Sequence, residues 1–201
     1  LFRSRDTGNL ATILASQVSD AVRSVDDIIN DVQDRVLQQD IATEEAFRHL
    51  MDTEFGHKLL KSKADRVPLV EVITLLDLNG DAIATSAQWP HRQLNPADRD
   101  YFHAAKESTT RELYVSFPAE RRLVGTPAVF FSKAIRSYTG QIIGVVSIGS
   151  PISGLRNIYS SVKLLGNWSF TLNRSDGTIL ARFPEEHFKL GQQMQIGRAH
   201  V

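Results

Sequence analysis

Ile73-Thr-Leu-Leu-Asp-Leu-Asn-Gly80-Asp-Ala-Ile-Ala-Thr85 and Phe170-Thr-Leu-Asn-Arg-Ser-Asp-Gly177-Thr-Ile-Leu-Ala-Arg182 decide how this chain is read. Overlaid at an offset of 97 residues, Thr74 falls on Thr171, Leu75 on Leu172, Gly80 on Gly177 and Ala84 on Ala181. Each copy is an apolar run, a polar turn with glycine, and a second apolar run. Asn-Gly and Asp-Gly supply the positive φ that tight hairpin turns need, so each copy predicts a β-hairpin. Each also follows a stretch of helical periodicity. Two copies are too few for a solenoid and suit two related α/β modules in tandem. Asp77, Asn79 and Asp81 have the spacing of the first three ligands of a calcium loop. Glycine stands fourth rather than sixth, and Gln88 stands where the twelfth-position glutamate belongs, so the segment reads as a turn.

Upstream, residues 7–39 contain no proline and one glycine, Gly8, near the start. Leu14, Val18, Ala21, Val25, Ile28, Val32 and Val36 recur at steps of four and three, one apolar stripe on a helix about 50 Å long. The stripe can lie on the chain's own domain, or its free end can pack on a second copy in a parallel homodimer; the two are compatible. Residues 43–61 predict a second helix, with Thr43 as cap and Glu44 and Glu45 at its positive end. Strands follow at 69–76, 82–86, 113–116, 128–135 and 141–150, the last two joined at Tyr138-Thr139-Gly140. Gly144 to Ser150 has phosphate-loop glycines without the lysine and lies inside a strand pattern. A helix at 155–165 and strands at 168–172 and 178–182 complete the reading. The expected fold is α/β (α+β), with a helix at 1–40, a PAS-like module at 41–152 and a shorter one at 153–201, both sheets antiparallel.

Composition narrows the function. Among 201 residues, 23 Lys and Arg balance 23 Asp and Glu, so no basic face is offered to nucleic acid. There is no cysteine, hence no thiol nucleophile, thiolate metal site or disulfide. No apolar run reaches the roughly 20 residues of a membrane span. The chain begins at Leu1, which predicts a piece of a longer protein whose spans lie outside it. The six histidines are scattered, without a His-x-x-x-His pair and third ligand, and no Gly-x-Ser-x-Gly elbow occurs. Asp98 and Asp100 read as caps of a short helix at 101–106 rather than as a catalytic pair. Neither catalysis nor a cofactor is expected.

Asp98-Arg99-Asp100-Tyr101-Phe102, then Phe131-Ser132-Lys133-Ala134-Ile135, then Gly140 with Gly144-Val145-Val146, then Ser175-Asp176-Gly177-Thr178-Ile179-Leu180-Ala181-Arg182, all behind a long helix, resemble the double Cache (tandem PAS-like) sensor region of bacterial transmembrane receptors. The resemblance covers most of the chain. It implies a periplasmic region of an inner-membrane protein between two spans, with a ligand-binding distal module and a smaller proximal one. The implied output domain is a diguanylate cyclase, a histidine kinase of a two-component system or a chemotaxis transducer. A stand-alone extracytoplasmic binding domain is the alternative. Amino-acid-binding members carry Arg-x-Trp-Tyr, an earlier Tyr and a later Asp. This chain has Arg99-Asp100-Tyr101-Phe102, Leu94 and Gly149 at those places. Losing the aspartate removes the counter-charge of an amine and favours a neutral or anionic ligand.

A pocket is expected between segment 86–126 and the strand 128–135, because long ordered loops in compact domains commonly bind ligands. Arg99 and Lys133 would hold a carboxylate, Tyr101 and Tyr114 would donate hydrogen bonds, and Trp89, Phe117 and Phe131 would form walls, with His103 nearby. The partner implied is a small polar or carboxylate metabolite. Taken singly, Arg99 also reads as a surface ion pair with Asp98 or Asp100, Tyr101 as core and Lys133 as a solvated strand residue.

Overall fold

The apolar stripe of the first helix is what the rest of the chain folds against. In a computed structural model that describes residues 2–160, 169–183 and 191–193, α1 spans Phe2–Leu37, inside the predicted 1–40 helix and starting ahead of the 7–39 stretch read from periodicity. Val25, Ile29, Val32 and Val36 are almost fully buried. The predicted helix at 43–61 is two helices, α2 (Glu44–Met51) and α3 (Glu54–Ala64). The break has a local cause: Thr53 accepts a hydrogen bond from the Gly56 amide and donates to the Leu50 carbonyl, capping a new helix where the first stops. Within α3, a Cβ on Gly56 would lie 2.1 Å from the Met51 carbonyl oxygen, so the turn closes only around glycine.

The chain then forms β1 (Val72–Leu76), β2 (Ala82–Thr85), α4 (Asp100–Lys106), β3 (Tyr114–Val115), β4 (Ala119–Glu120), β5 (Pro127–Arg136) and β6 (Ile142–Pro151). Their order in the sheet is β2-β1-β6-β5-β3, with β4 also on β5, and every pairing is antiparallel, as the sequence predicts. The sheet has two different faces. One packs Ile73, Leu75, Phe131, Val146 and Ile148 against α1, α2 and α3. The other packs Leu76, Ala82 and Val145 against Tyr101, Phe102 and Ala105 of α4. Helix α1 is further tied to β5 by Gln33, whose side-chain amide donates to the Arg136 carbonyl (2.7 Å) and accepts from its N–H (2.8 Å). That occupies backbone groups where the β5–β6 register shifts. Among the described residues, no helix is long and apolar enough to cross a membrane.

Helix α5 (Ile152–Ser160) follows β6 directly, and β7 (Phe170–Asn173) pairs with β8 (Ile179–Phe183) as a second antiparallel sheet. The remainder of the helix predicted at 155–165, and Trp168, lie outside the described residues. The repeat read from the sequence holds at the level of single hydrogen bonds. Asp77 N donates to Asp81 O (3.0 Å) and Gly80 N to Asp77 O (3.1 Å); 97 residues on, Arg174 N donates to Thr178 O (2.9 Å) and Gly177 N to Arg174 O (3.0 Å). Gly80 and Gly177 sit at φ 85° and 86°. Both hairpins shift register at the same place, after Leu75 and after Leu172. Leu155, Leu180 and Ala181 share one buried cluster with α1 and β5, so the second hairpin packs into the main core.

The equivalent positions Asp77 and Arg174 carry opposite charges and do different jobs. Asp77 is fully buried; its Oδ1 accepts from Asn79 N (2.9 Å) and Asp81 N (2.8 Å), and its Oδ2 pairs with Arg48 of α2. The carboxylate predicted to shape a turn rather than to ligate calcium is thus saturated by the backbone and one arginine.

Candidate ligand-binding site

A cavity of about 270 Å³ opens on the α4 face of the sheet. Its floor is Val72 and Thr74 of β1, Ala82 and Thr85 of β2, and Ser147 and Gly149 of β6. Leu94 and Pro96 of the segment before α4 form one wall, and Tyr101 and Phe130, stacked at 4.6 Å, form another. The tip of the β4–β5 hairpin, Arg121 to Val124, closes the third side. The volume is near the lower end of the roughly 300–1,000 Å³ usual for small-molecule pockets, the scale of a metabolite with a few carbons.

Charge is the cavity's main chemical feature. Arg92, Arg99, Arg121 and Arg122 line it against Glu71 and Glu120, an excess of two positive charges. Arg121 pairs with Glu71, and Arg122 with Asp98, so those two cations brace the hairpin tip. Arg99, at the start of α4, donates from Nη2 to the Glu120 carbonyl (3.0 Å). A guanidinium has five N–H donors, so most of its capacity remains. Arg92 has no ion-pair partner among the described residues and is exposed at the rim. A carboxylate entering here meets Arg92 and Arg99 without breaking an existing pair.

Burial pushes the Tyr101 phenol far above its ordinary pKa, against an opposing pull from Arg99 and Arg122. Its hydroxyl therefore stays protonated and makes no hydrogen bond among the described residues, a donor held at the cavity wall. The sign of the pH dependence follows. Above pH about 10 the unfolded chain releases this proton while the folded chain keeps it, so stability falls as pH rises. For one group that slope is about 1.4 kcal/mol per pH unit. Tyr101→Phe should lose less stability than wild type between about pH 10 and 11 in urea unfolding; equal losses would mean that Tyr101 is not the shielded phenol.

The structure brings together Arg99 and Tyr101 of the predicted set and separates the rest. On β5, Phe130 faces the cavity while Phe131 and Lys133 project from the opposite side. Phe131 is buried in the helix-facing core, and Lys133 pairs with Asp26 (2.5 Å) and Asn30 (3.2 Å) of α1. Successive strand residues alternate faces, so choosing Phe131 and Lys133 chose the α1 face. Tyr114 donates to Asp100 Oδ2 (3.1 Å) behind α4, and Phe117 lies under Arg174. Trp89 packs on His91, and His103 meets Phe102 edge-on; neither lines the cavity. Asp98 and Asp100 do not cap α4. Arg99 is the N-cap residue, without a side-chain cap bond; Asp98 pairs with Arg122, and Asp100 turns to β3. Phe130, Leu94, Arg92 and the Arg121-Arg122 pair complete the site. The signal for the arginines was Arg121-Arg122 ahead of Gly125, a hairpin tip with φ of 65°.

Lys133 accordingly has a structural expectation. Its side chain is 10% exposed and Asp26 holds it. Lys133→Ala should lower unfolding stability by about 1–3 kcal/mol, since it strands a partly buried carboxylate, and leave affinity at the cavity unchanged within twofold. Paired urea unfolding and titration calorimetry separate the two effects. A selective loss of affinity would put the lysine in the site.

Gly149 explains the missing aspartate. A Cβ there would lie 2.9 Å from Val72 Cγ1 and 3.3 Å from Phe130 Cε1. The space that a larger side chain would take there is filled by Val72 and Phe130.

Solved structures share this fold. The extracellular domain of rpHK1S-Z16, assigned as a histidine kinase, superposes with TM-score 0.80 at 21% identity, over 96% of this chain and 76% of that one. The fold is that of a Cache-type sensor domain. The ligand-binding domain of the Campylobacter jejuni chemoreceptor Tlp3 in complex with L-valine has TM-score 0.67 at 20% identity, over 90% and 71% of the two chains. The sensor domain of the V. cholerae histidine kinase DctB gives 0.64 at 14%, over 89% and 66%. No protein-family model matches, and no curated protein sequence matches.

Proposed function

We propose that this chain is the extracytoplasmic ligand-sensing region of a membrane-bound signal transducer, and that a small carboxylate metabolite binds on the α4 face of its main sheet. The observation that carries this reading is the cavity beside Arg99, with an excess of two arginines, a protonated Tyr101 hydroxyl and apolar walls from Leu94 and Phe130. Arg99 and Arg92 hold the negative group and Tyr101 donates to it; the hairpin tip closes over it. Residues 41–152 form the ligand-binding module, residues 153–201 the second module, and α1 the element that carries displacement onward and pairs with a second copy. The parent carries a histidine kinase or diguanylate cyclase output, with a chemoreceptor output or a stand-alone binding domain as alternatives.

An amino acid is the second reading. Glu71 lines the cavity and would exchange its Arg121 pair for the ligand's ammonium, and domains of the same fold bind L-valine, γ-aminobutyrate and L-serine. A thermal-shift panel of acetate, succinate, L-malate, L-valine, L-serine and glycerol separates the two. Stabilisation grows with ligand excess and reaches about 2.7 kcal/mol at a hundredfold over Kd. Stabilisation by the amine-free acids supports the proposal. Stabilisation by amino acids alone selects the second reading. A folded chain that no acid or amino acid stabilises overturns both.

A further inference from the structure

Asp100 lies between two cavity-lining residues, Arg99 and Tyr101, yet its carboxylate faces away from the cavity. Its Oδ2 accepts from Phe117 N (2.8 Å) and from the Tyr114 hydroxyl (3.1 Å). The same short stretch is gripped from the second hairpin. Arg174 donates from Nη1 to the Val115 carbonyl (2.5 Å) and to the Tyr114 hydroxyl (3.5 Å). Its guanidinium lies 4.3 Å from the Phe117 ring centre and 5.3 Å from that of Tyr114. Asp176 of the same turn holds the Arg174 Nε at 3.3 Å. Residues 114–117 are thus clamped between α4 and the β7–β8 turn.

We infer that Asp100 is a positioning residue that couples the cavity wall to the β7–β8 hairpin, through Tyr114, Phe117 and Arg174. The chemistry gives this chain one direction. A guanidinium only donates and a carboxylate only accepts, so the single Tyr114 proton points to Asp100 and its oxygen lone pair to Arg174. Burial raises the Tyr114 pKa and keeps that proton in place. Charged ends strengthen both hydrogen bonds, and consecutive bonds polarise one another. A ligand that draws Arg99 and Tyr101 inward rotates the first turn of α4, and Asp100 turns with it. Hydrogen bonds near 3 Å weaken steeply with misalignment, so a small rotation there loosens the grip on Phe117 and Tyr114 and releases Arg174. The repeat sharpens the point: the residue equivalent to Arg174 in the first hairpin is Asp77, which anchors its turn on α2 instead. The use of this coupling for signalling rests on the proposed ligand site; the coupling itself does not need a ligand.

The test is hydrogen exchange by mass spectrometry on residues 1–201 without added ligand. Tyr114→Phe removes one hydroxyl and keeps the ring. It should speed exchange about tenfold both in peptides covering α4 and in peptides covering β7–β8. Asp100→Ala should loosen the β7–β8 hairpin, and Arg174→Ala should loosen the first turn of α4, by similar factors, since coupling is reciprocal. The Asp100→Ala, Arg174→Ala double variant should be little worse than either single one. Asp100→Asn, which keeps the accepting oxygen, should restore most of the hairpin's protection. If Asp100→Ala does not fold, Tyr114→Phe and Asp100→Asn carry the test. Exchange that changes only beside each substituted residue, with additive effects in the double variant, overturns the inference. A silent thermal-shift panel would overturn the ligand reading and leave this result standing.

Discussion

Replacing Asp77 by alanine lowers the unfolding free energy by about 3 kcal/mol, near the lower end of the cost of breaking a buried ion pair. The carboxylate is fully buried and serves three partners: the Asn79 and Asp81 amides, at 2.9 and 2.8 Å, and Arg48. Alanine strands all three. Arg48 softens the loss, because its side chain is 41% exposed and re-enters water. The two amides belong to exposed residues but give part-buried hydrogen bonds, so each donor left without its acceptor costs near the low end of about 1–3 kcal/mol. Ordinary domains are stable by about 5–15 kcal/mol, so the variant gives up a large share. The effect reaches the site, because this turn sets the β1–β2 register and thereby Thr74, Ala82 and Thr85 in the cavity floor. Urea unfolding gives the number, and a loss below about 1 kcal/mol would show that the turn holds without its carboxylate.

Arg99→Ala weakens binding of the panel's best acid by about ten- to a hundredfold, at little cost to stability. Hydrogen bonds to a charged group contribute about 1.5–3 kcal/mol, and each 1.4 kcal/mol is a factor of ten. Arg99 is half-buried, and its side-chain hydrogen bond among the described residues, to the Glu120 carbonyl, is at the surface. Arg99→Lys should recover only part of the affinity, since an ammonium cannot reproduce the two-pronged guanidinium geometry. Calorimetric titration of the three proteins decides it. An alanine variant within twofold of wild type removes Arg99 from the site.

What the sequence revealed and concealed divides along physical lines. Both hairpins were legible because Gly80 and Gly177 carry a backbone requirement that few residues satisfy. The first helix was legible because its stripe repeats over many turns. The split at Thr53 was hidden, since a threonine inside a helical pattern becomes a cap only if the chain turns there. Within β5, the adjacent Phe130 and Phe131 gave no sign of which faced the helices. Burial on both faces erases the alternation that fixes a strand's orientation, and a one-residue error moves every side chain across the sheet. Strand β4 has two residues and no periodicity to read. Pairs such as Arg121 with Glu71 and Arg122 with Asp98 join positions 50 and 24 residues apart, which local patterning cannot foresee.

The central claim is that a small anion binds on the α4 face of the main sheet beside Arg99. A crystal structure of the chain with the most stabilising acid of the panel tests it most directly. The account predicts the carboxylate within hydrogen-bonding distance of the Arg99 guanidinium and the Tyr101 hydroxyl, between Leu94 and Phe130. Ligand found instead beside Lys133, or in the cleft between α1 and β7 lined by Val18, Val22 and Leu172, would contradict it.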